Sequence, residues 1–176
     1  MNVLVTGGAG YIGSHTVLAL LEAGHHVITV DDHSGGCPQP VGRPDSHHVG
    51  DFASTELLTK IFEQNDIDGV IHFAGRIQVG ESVTNPELYY WHNVAKTMVL
   101  LDYMNRYDVQ RIVFSSSAAV YGSQGGTTPL TEDMMMCPEN PYGRSKAAIE
   151  ILLRQSKMES VCLRYFNAAG ADPQMN

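Results

Sequence analysis

Tyr142 and Lys146 stand four residues apart in the segment Pro-Tyr-Gly-Arg-Ser-Lys that begins at Pro141. On a helix that spacing places both side chains on one face, and Pro141 suits a first helical position. A free phenol titrates near 10, too high for a base at neutral pH. An ammonium about one turn away, together with a bound nicotinamide cation, favours the phenolate. The pair therefore reads as a general base and its activator. Upstream, the apolar run Gln110–Ser115 leads into three serines, Ser115, Ser116 and Ser117. Ligand sites of parallel sheets lie beyond the carboxyl ends of the strands. Ser117 would then stand beside the nicotinamide and donate to a substrate oxygen, while Ser115 and Ser116 read as turn chemistry.

That chemistry needs a cradle for the dinucleotide, and the first strand runs straight into one: Gly7-Gly8-Ala9-Gly10-Tyr11-Ile12-Gly13. Gly7 permits the tight turn, Gly10 lets backbone approach a pyrophosphate, and Gly13 lets the helix pack on the strand. The helix that follows offers unpaired N–H groups and a partial positive charge to phosphates. Strand, glycines and helix arrive in the order a dinucleotide fingerprint demands. The second strand ends at Asp31-Asp32, and no Lys or Arg follows before Arg43. An acid there accepts from the adenosine ribose hydroxyls and repels a 2′-phosphate, so the implied cofactor is NAD. Asp51 and Phe52, which end the third strand, reach toward the adenine or simply open a loop.

The elements that position these residues alternate. Asn2–Thr6, His26–Asp31, Asp68–Phe73, Gln110–Ser115 and Ser160–Arg164 are short apolar, largely β-branched runs, the mark of buried parallel strands; His47–Asp51 is a weaker sixth. Helical spacing runs through Tyr11–Gly24, Ser54–Asn65, Glu87–Tyr107 and Tyr142–Lys157. Gly24 reads as a C-terminal cap and Ser54 as an N-cap ahead of the stripe Leu57, Leu58, Ile61, Phe62. The pattern predicts an α/β fold, a doubly wound parallel sheet of the Rossmann type, with 1–176 as one NAD-binding domain. Two segments are loop-like, Ser34–Pro44 and Gly122–Pro141; in the second, Met134, Met135 and Met136 read as gap-fillers.

Composition narrows the partners. The chain has 176 residues, 43% hydrophobic and 17% charged, with a formal charge of −8. That charge opposes binding to nucleic acid, and the absence of a long apolar run opposes a membrane span. No basic export segment opens the sequence. Cys37, Cys137 and Cys162 form no disulfide framework, which fits a reducing cytoplasm. His25-His26 and His47-His48 are neighbours that point to opposite faces of a strand. No zinc spacing occurs and no metal is expected.

Five ordered motifs carry a resemblance: T-G-G-A-G-Y-I-G at Thr6–Gly13, H-F-A-G at His72–Gly75, S-S-S-A-A-V-Y-G at Ser115–Gly122, P-Y-G-R-S-K at Pro141–Lys146 and L-R-Y-F-N at Leu163–Asn167. Together they resemble the extended short-chain dehydrogenase/reductase (NAD-dependent epimerase/dehydratase) family, and within it the UDP-glucose 4-epimerase branch. V-G-E-S-V at Val79–Val83, with Pro86, Tyr89, Tyr90 and Asn93 beyond, strengthens that branch.

The resemblance implies roles. Tyr142 would take the proton of a sugar 4-hydroxyl, Lys146 would bind the nicotinamide ribose, and Ser117 would hydrogen-bond the 4-oxygen. Tyr11 and Ile12 would meet the pyrophosphate; Phe73, Ala74, Gly75, Asn93 and Phe166 would contact the cofactor, and Asn167 the UDP-sugar. The implied reaction is transient oxidation at C4 and return of hydride to the other face. Ala118 and Ala119 follow Ser117, where dehydratases of the family usually carry an acid. Ile77 stands where the family commonly has a lysine, with Arg76 beside it. The family's C-terminal substrate domain is not represented, so two readings stay open: a UDP-hexose 4-epimerase, or a domain that binds NAD without turnover. Family members pair through two helices, here Glu87–Tyr107 and Tyr142–Lys157. Their apolar residues (Val99, Leu100, Leu101, Met104; Ala147, Ile149, Ile151, Leu152, Leu153) suit a homodimer or packing on the sheet.

Overall fold

The computed structural model describes residues 1–35, 43–124 and 129–172. Cys37 and most of the first loop-like segment lie outside them. Six strands form one sheet: β1 (Asn2–Thr6), β2 (His26–Asp31), β3 (Ser46–Val49), β4 (Gly69–His72), β5 (Arg111–Ser115) and β6 (Glu159–Leu163). Their order is β3-β2-β1-β4-β5-β6, and every pair is parallel. The fold is thus the doubly wound α/β arrangement that the alternation of runs implies. From β1 the chain turns to β2 on one side and later returns to β4 on the other. That reversal opens a crevice at the carboxyl end of β1, the place where open α/β sheets bind ligands.

Register levels the strand ends around this crevice. Thr6 pairs with Val30 and with His72, His72 with Phe114, and Phe114 with Cys162. Alternation along β1 divides the core. Leu4 belongs to the larger cluster, with Ile28, Phe114, Leu100, Met104 and Ile149, whereas Val3 and Val5 face the other side with Val17 and Val27. Each fully buried Leu or Ile contributes about 1.5–3 kcal/mol.

Helices α1 (Tyr11–Glu22), α2 (Thr55–Gln64), α3 (Val79–Thr84), α4 (Pro86–Tyr89), α5 (Lys96–Arg106) and α6 (Pro141–Gln155) cover the sheet. The end of α1 is a Schellman turn: His25 N–H donates to Leu20 O and Gly24 N–H to Leu21 O, with Gly24 at φ +76°. Ser54 Oγ caps α2 by accepting from Leu57 N–H at 3.4 Å. Asn140 holds the start of α6 by accepting from Gly143 N–H at 2.8 Å.

The single helix expected over 87–107 is broken. After α4 a π-helical turn spans Tyr90–Ala95 before α5 begins. Its widened turn holds Asn93, 3% exposed. The apolar residues assigned to these helices mostly pack inward: Leu100, Leu101, Met104, Ala147, Ile149 and Leu153 are buried, and Val99 and Leu152 pack against the core. Ile151 alone of the nine is exposed, joined outside by Tyr90, Trp91 and Met98. Met134 and Met136 pack on Val120, Tyr121 and Ala147. Among the described residues no helix is long and apolar enough to cross a membrane.

Candidate active site

The glycine loop is built by close approach. A Cβ on Gly13 would lie 2.0 Å from the Gly7 carbonyl oxygen, and one on Gly7 would lie 2.7 Å from Ala74 N. Gly7 also takes φ +71°. These contacts press α1 against β1 and the loop after β4 against the loop after β1. Gly10 differs: its only close neighbour would be the Gly7 oxygen at 3.3 Å. Gly10 is the N-cap of α1 with no side-chain cap and no acid in the first turn. The helix start, carrying Tyr11 and Ile12, therefore keeps amide donors for an anion.

Asp31 does more than end β2. Its Oδ2 accepts from Ala9 N–H at 2.9 Å and its Oδ1 from His33 N–H at 2.8 Å. The carboxylate braces the glycine loop and retains lone pairs for further donors. Cradle, helix start and acid together fit a dinucleotide.

β3 stops at Val49, so Asp51 and Phe52 lie past its end instead of ending it. Asp51 follows β3 by two residues, pairs with Lys96 at 2.6 Å and accepts from Ala53 N–H. The Phe52 ring is core, 8% exposed and 5.0 Å from the His72 ring. Packing thus takes its side chain, leaving only main chain for a cofactor.

Tyr142, Lys146 and Ser117 come together beyond β5. Lys146 is 3% exposed and donates to the Ser115 carbonyl at 2.8 Å, its Nζ 5.0 Å over the Phe114 ring and 5.9 Å from the Tyr142 ring. Burial brings its ammonium down to about 8. Tyr142 is buried, and desolvation pushes its phenol up while a hydrogen bond with Ser117 opposes the rise. The Lys146 ammonium donates to a carbonyl and not to the phenol, so its expected support of the phenolate would act through space, together with a bound nicotinamide cation. Gly143 lets α6 approach the serine turn, since a Cβ there would lie 2.6 Å from Ala119 O. Gly75 borders this cluster, its Cβ position 3.7 Å from Lys146 Nζ.

Asn93 is committed to structure. Its Oδ1 accepts from Arg76 N–H, and its Nδ2 donates to Arg76 O and to Ser145 Oγ. Arg76 pairs with Glu81 at 3.4 Å, and Ile77 is 69% exposed. Phe73 N–H donates to Thr6 O. Phe166, 70% exposed, and Asn167 lie on the segment after β6. That segment returns to the cradle, where Tyr11 OH donates to Gly170 O at 2.6 Å.

Beneath the site runs a polar chain that the motif H-F-A-G did not announce. Ala74 N–H donates to Thr6 Oγ1, which lies 2.6 Å from His72 Nδ1; His72 Nε2 is 2.9 Å from Thr97 Oγ1, which donates to Asn93 O. Thr97 gives its proton to Asn93, so His72 carries its own on Nε2 and accepts from Thr6. Burial holds this imidazole neutral, at about 3. Glu150, Arg164 and Ser116 form a second unforeseen network. The available signal was a charge on the buried face of α6, since 142, 146 and 150 follow one another at helical spacing. Among the described residues no group of three or more His, Cys, Asp or Glu could hold a metal ion.

Residues 3–176 match the NAD dependent epimerase/dehydratase family. The UDP-glucose 4-epimerase of Halalkalibacterium halodurans is 49% identical over 98% of this chain and 52% of its own length. That of Azospirillum brasilense is 46% identical over 98% of this chain and 50% of its own. Among solved structures, UDP-glucose 4-epimerase from Bifidobacterium longum in complex with NAD+ and UDP superposes with a TM-score of 0.92 at 42% identity, covering 99% of this chain and 56% of that one. The chain spans about half the length of the curated relatives it matches. With the family matched over residues 3–176 and the backbone superposing over nearly the whole chain, the chain belongs to the NAD dependent epimerase/dehydratase family.

Proposed function

We propose that this chain carries the cofactor-binding and acid–base half of a UDP-hexose 4-epimerase, converting UDP-glucose and UDP-galactose with NAD. The observation that carries the reading is the meeting of Ser117, Tyr142 and Lys146 beyond β5, beside Gly75 and across the crevice from the glycine loop. NAD, when bound, supplies the hydride acceptor and donor at sugar C4. Gly7, Gly10, Tyr11, Ile12 and Gly13 hold the pyrophosphate, Asp31 the adenosine ribose, and Lys146 the nicotinamide ribose. Phe73, Ala74, Gly75 and Phe166 line the cofactor, while Asp51 and the Phe52 main chain border the adenine.

Tyr142 takes the proton of the 4-hydroxyl and later returns it. Ser117 donates to the 4-oxygen as charge gathers there, and Asn167 contacts the UDP-sugar. Asn93 acts one step back, fixing the Arg76 backbone next to Gly75. Ala118 and Ala119 occupy the turn after Ser117. With no acid there to eliminate water, oxidation and return is favoured over dehydration.

A homodimer is part of the proposal, through the outer faces of the helical segment 86–106 and of α6. The residues offered are Tyr90, Trp91, Met98 and Ile151, each more than 40% exposed. Sedimentation of the wild type against Trp91→Glu tests it, the charge shifting the protein to monomer. Unpaired Cys137 and Cys162 suit a reducing cytoplasm. The central experiment is coupled conversion of UDP-galactose with an NAD titration. Tyr142→Phe should abolish turnover and leave NAD affinity within about threefold, as expected for loss of a base. Turnover retained in that variant would remove Tyr142 from its role. NAD binding without any wild-type turnover would favour the cofactor-binding reading.

A further inference from the structure

Glu150 is fully buried on α6, one turn beyond Lys146 and two beyond Tyr142. An unpaired carboxylate in that position costs several kcal/mol. Arg164, just past β6 and itself 8% exposed, offsets the cost with a fork: Nη2 donates to Oε2 at 2.6 Å, and Nε lies 2.9 and 3.1 Å from the two oxygens. Ser116 Oγ also donates to Oε1, and Arg154 approaches Oε2 at 3.4 Å from the surface. The remaining Arg164 nitrogen donates to Tyr121 OH at 2.9 Å, with the guanidinium 4.9 Å over that ring.

One carboxylate thereby ties three segments. The first is the helix of Tyr142 and Lys146. The second is the serine turn, where Ser116 precedes Ser117. The third leads from Arg164 into Phe166 and Asn167. Neighbouring bonds fasten the last two together, as Ala118 N–H donates to Tyr165 O at 3.0 Å and Ser115 Oγ bonds Tyr165 OH. A buried ion pair rarely outdoes apolar packing for stability. What a bidentate arginine supplies is fixed geometry, and geometry within a fraction of an ångström is what a proton and hydride transfer demands.

We propose that Glu150, acting through Arg164 and Ser116, is a positioning residue that holds Ser117 and the Phe166–Asn167 segment in register with Tyr142 and Lys146. Its meaning for catalysis rests on the 4-epimerase reading; the coupling of the three segments does not. The test compares Glu150→Gln, Arg164→Lys and the double variant Glu150→Met/Arg164→Leu. The readouts are hydrogen exchange at the Ala118 amide, NAD affinity, melting temperature, kcat with UDP-galactose, and the Tyr142 titration followed by carbon-13 labelling of the tyrosine ring.

Both single variants should speed Ala118 exchange by about tenfold or more and lower kcat by roughly 100-fold. NAD affinity should fall far less than kcat, by about tenfold at most, because only the Phe166 contact is loosened while the glycine loop and Asp31 are untouched. Lysine should not rescue, because one ammonium cannot replace the fork. The double variant should regain the melting temperature and still show fast exchange and low kcat. Recovery of kcat and of Ala118 protection in the double variant would reduce the pair to a stabilising role and overturn the proposal. So would wild-type values in Glu150→Gln. If that variant does not fold, the other two decide. If the wild type does not turn over, the epimerase reading fails, and Ala118 exchange with the Tyr142 titration decides positioning alone. Loss of the Ser117 bond moves that titration upward.

Discussion

Two glycines in one loop separate folding from binding. Gly13→Ala would place its Cβ 2.0 Å from the Gly7 oxygen and 2.9 Å from the Gly7 carbonyl carbon. Both atoms are backbone in a turn already pressed on Ala74, so relief requires α1 to lift. Overpacking of this kind costs about 3 kcal/mol, and at roughly 2–4 °C per kcal/mol for a chain of this size the melting temperature should fall about 6–12 °C. Gly10→Ala meets only the Gly7 oxygen, at 3.3 Å, on a backbone at φ −71° that alanine adopts freely. Its folding cost is small and is offset by about 0.4–1 kcal/mol from the stiffer unfolded chain. Yet its methyl group would stand where a pyrophosphate must approach the helix start. A clash of about 1–3 kcal/mol weakens NAD by roughly 5- to 150-fold. Calorimetric melting of the unliganded protein and fluorescence titration with NADH measure the two effects separately. A Gly10→Ala protein that binds NADH within twofold of wild type would refute the placement of the phosphates, whatever its melting temperature.

Asp31→Ala should weaken NAD by about tenfold or more, through lost ribose contacts and through the unbraced Ala9 amide, and should narrow the preference over NADP. Parallel NADH and NADPH titrations check this, and an unchanged ratio removes Asp31 from cofactor selection. Lys146 sits at about 8 in the folded chain against an ordinary 10.5. Between those values the unfolded chain binds the extra proton, so stability rises with pH by up to about 1.4 kcal/mol per unit. Urea melts at pH 8.0 and 9.5 should show this rise in wild type and not in Lys146→Met. His72 is held at about 3 against 6.5, so its contribution is intact above pH 6.5 and is lost progressively as pH falls toward 3. His72→Gln should flatten that acid limb in denaturant melts, and an equally steep limb would place the proton uptake elsewhere.

Where local chemistry determines an element, the sequence and the fold agree, to the residue for β1 and β2 and within two residues at the end of α1. β1 and β2 end where Gly7 and the acid pair interrupt β-branched runs, and Gly24 ends α1 because only its left-handed φ closes the Schellman turn. The cradle and the Tyr–Lys spacing were legible for the same reason, since both are set within a few neighbouring residues. What was not legible depends on distant partners. Apolar periodicity over 87–107 cannot distinguish an i+5 turn from an α-helix. Only the Arg76 backbone, drawn up against Asn93, explains why the chain widens there. The six-residue α3, with Gly80 inside it and Pro86 just past its end, is too short for periodicity to mark. Glu150 was overlooked because a charge among Ile149, Ile151 and Leu152 reads as a gap in the stripe. Its partner Arg164 is fourteen residues away and meets it only once β6 is paired.

The protonation of the site points to one further dependence. Among the described residues Lys146 has no carboxylate partner, and its ammonium serves a neutral carbonyl. Burial raises Tyr142 and lowers Lys146, so the unliganded site holds a protonated phenol and an ammonium, with neutral pH only about one unit below the titration of Lys146. Neither group is then poised as a base. A positive nicotinamide brought beside them would lower both values, and the proton more easily shed would be shared between the two. Groups so coupled titrate as a pair. The acidic limb of a pH–rate profile would therefore belong to Tyr142 and Lys146 jointly. Lys146→Met should displace that limb upward rather than erase it, because the phenol would lose a nearby cation while keeping Ser117.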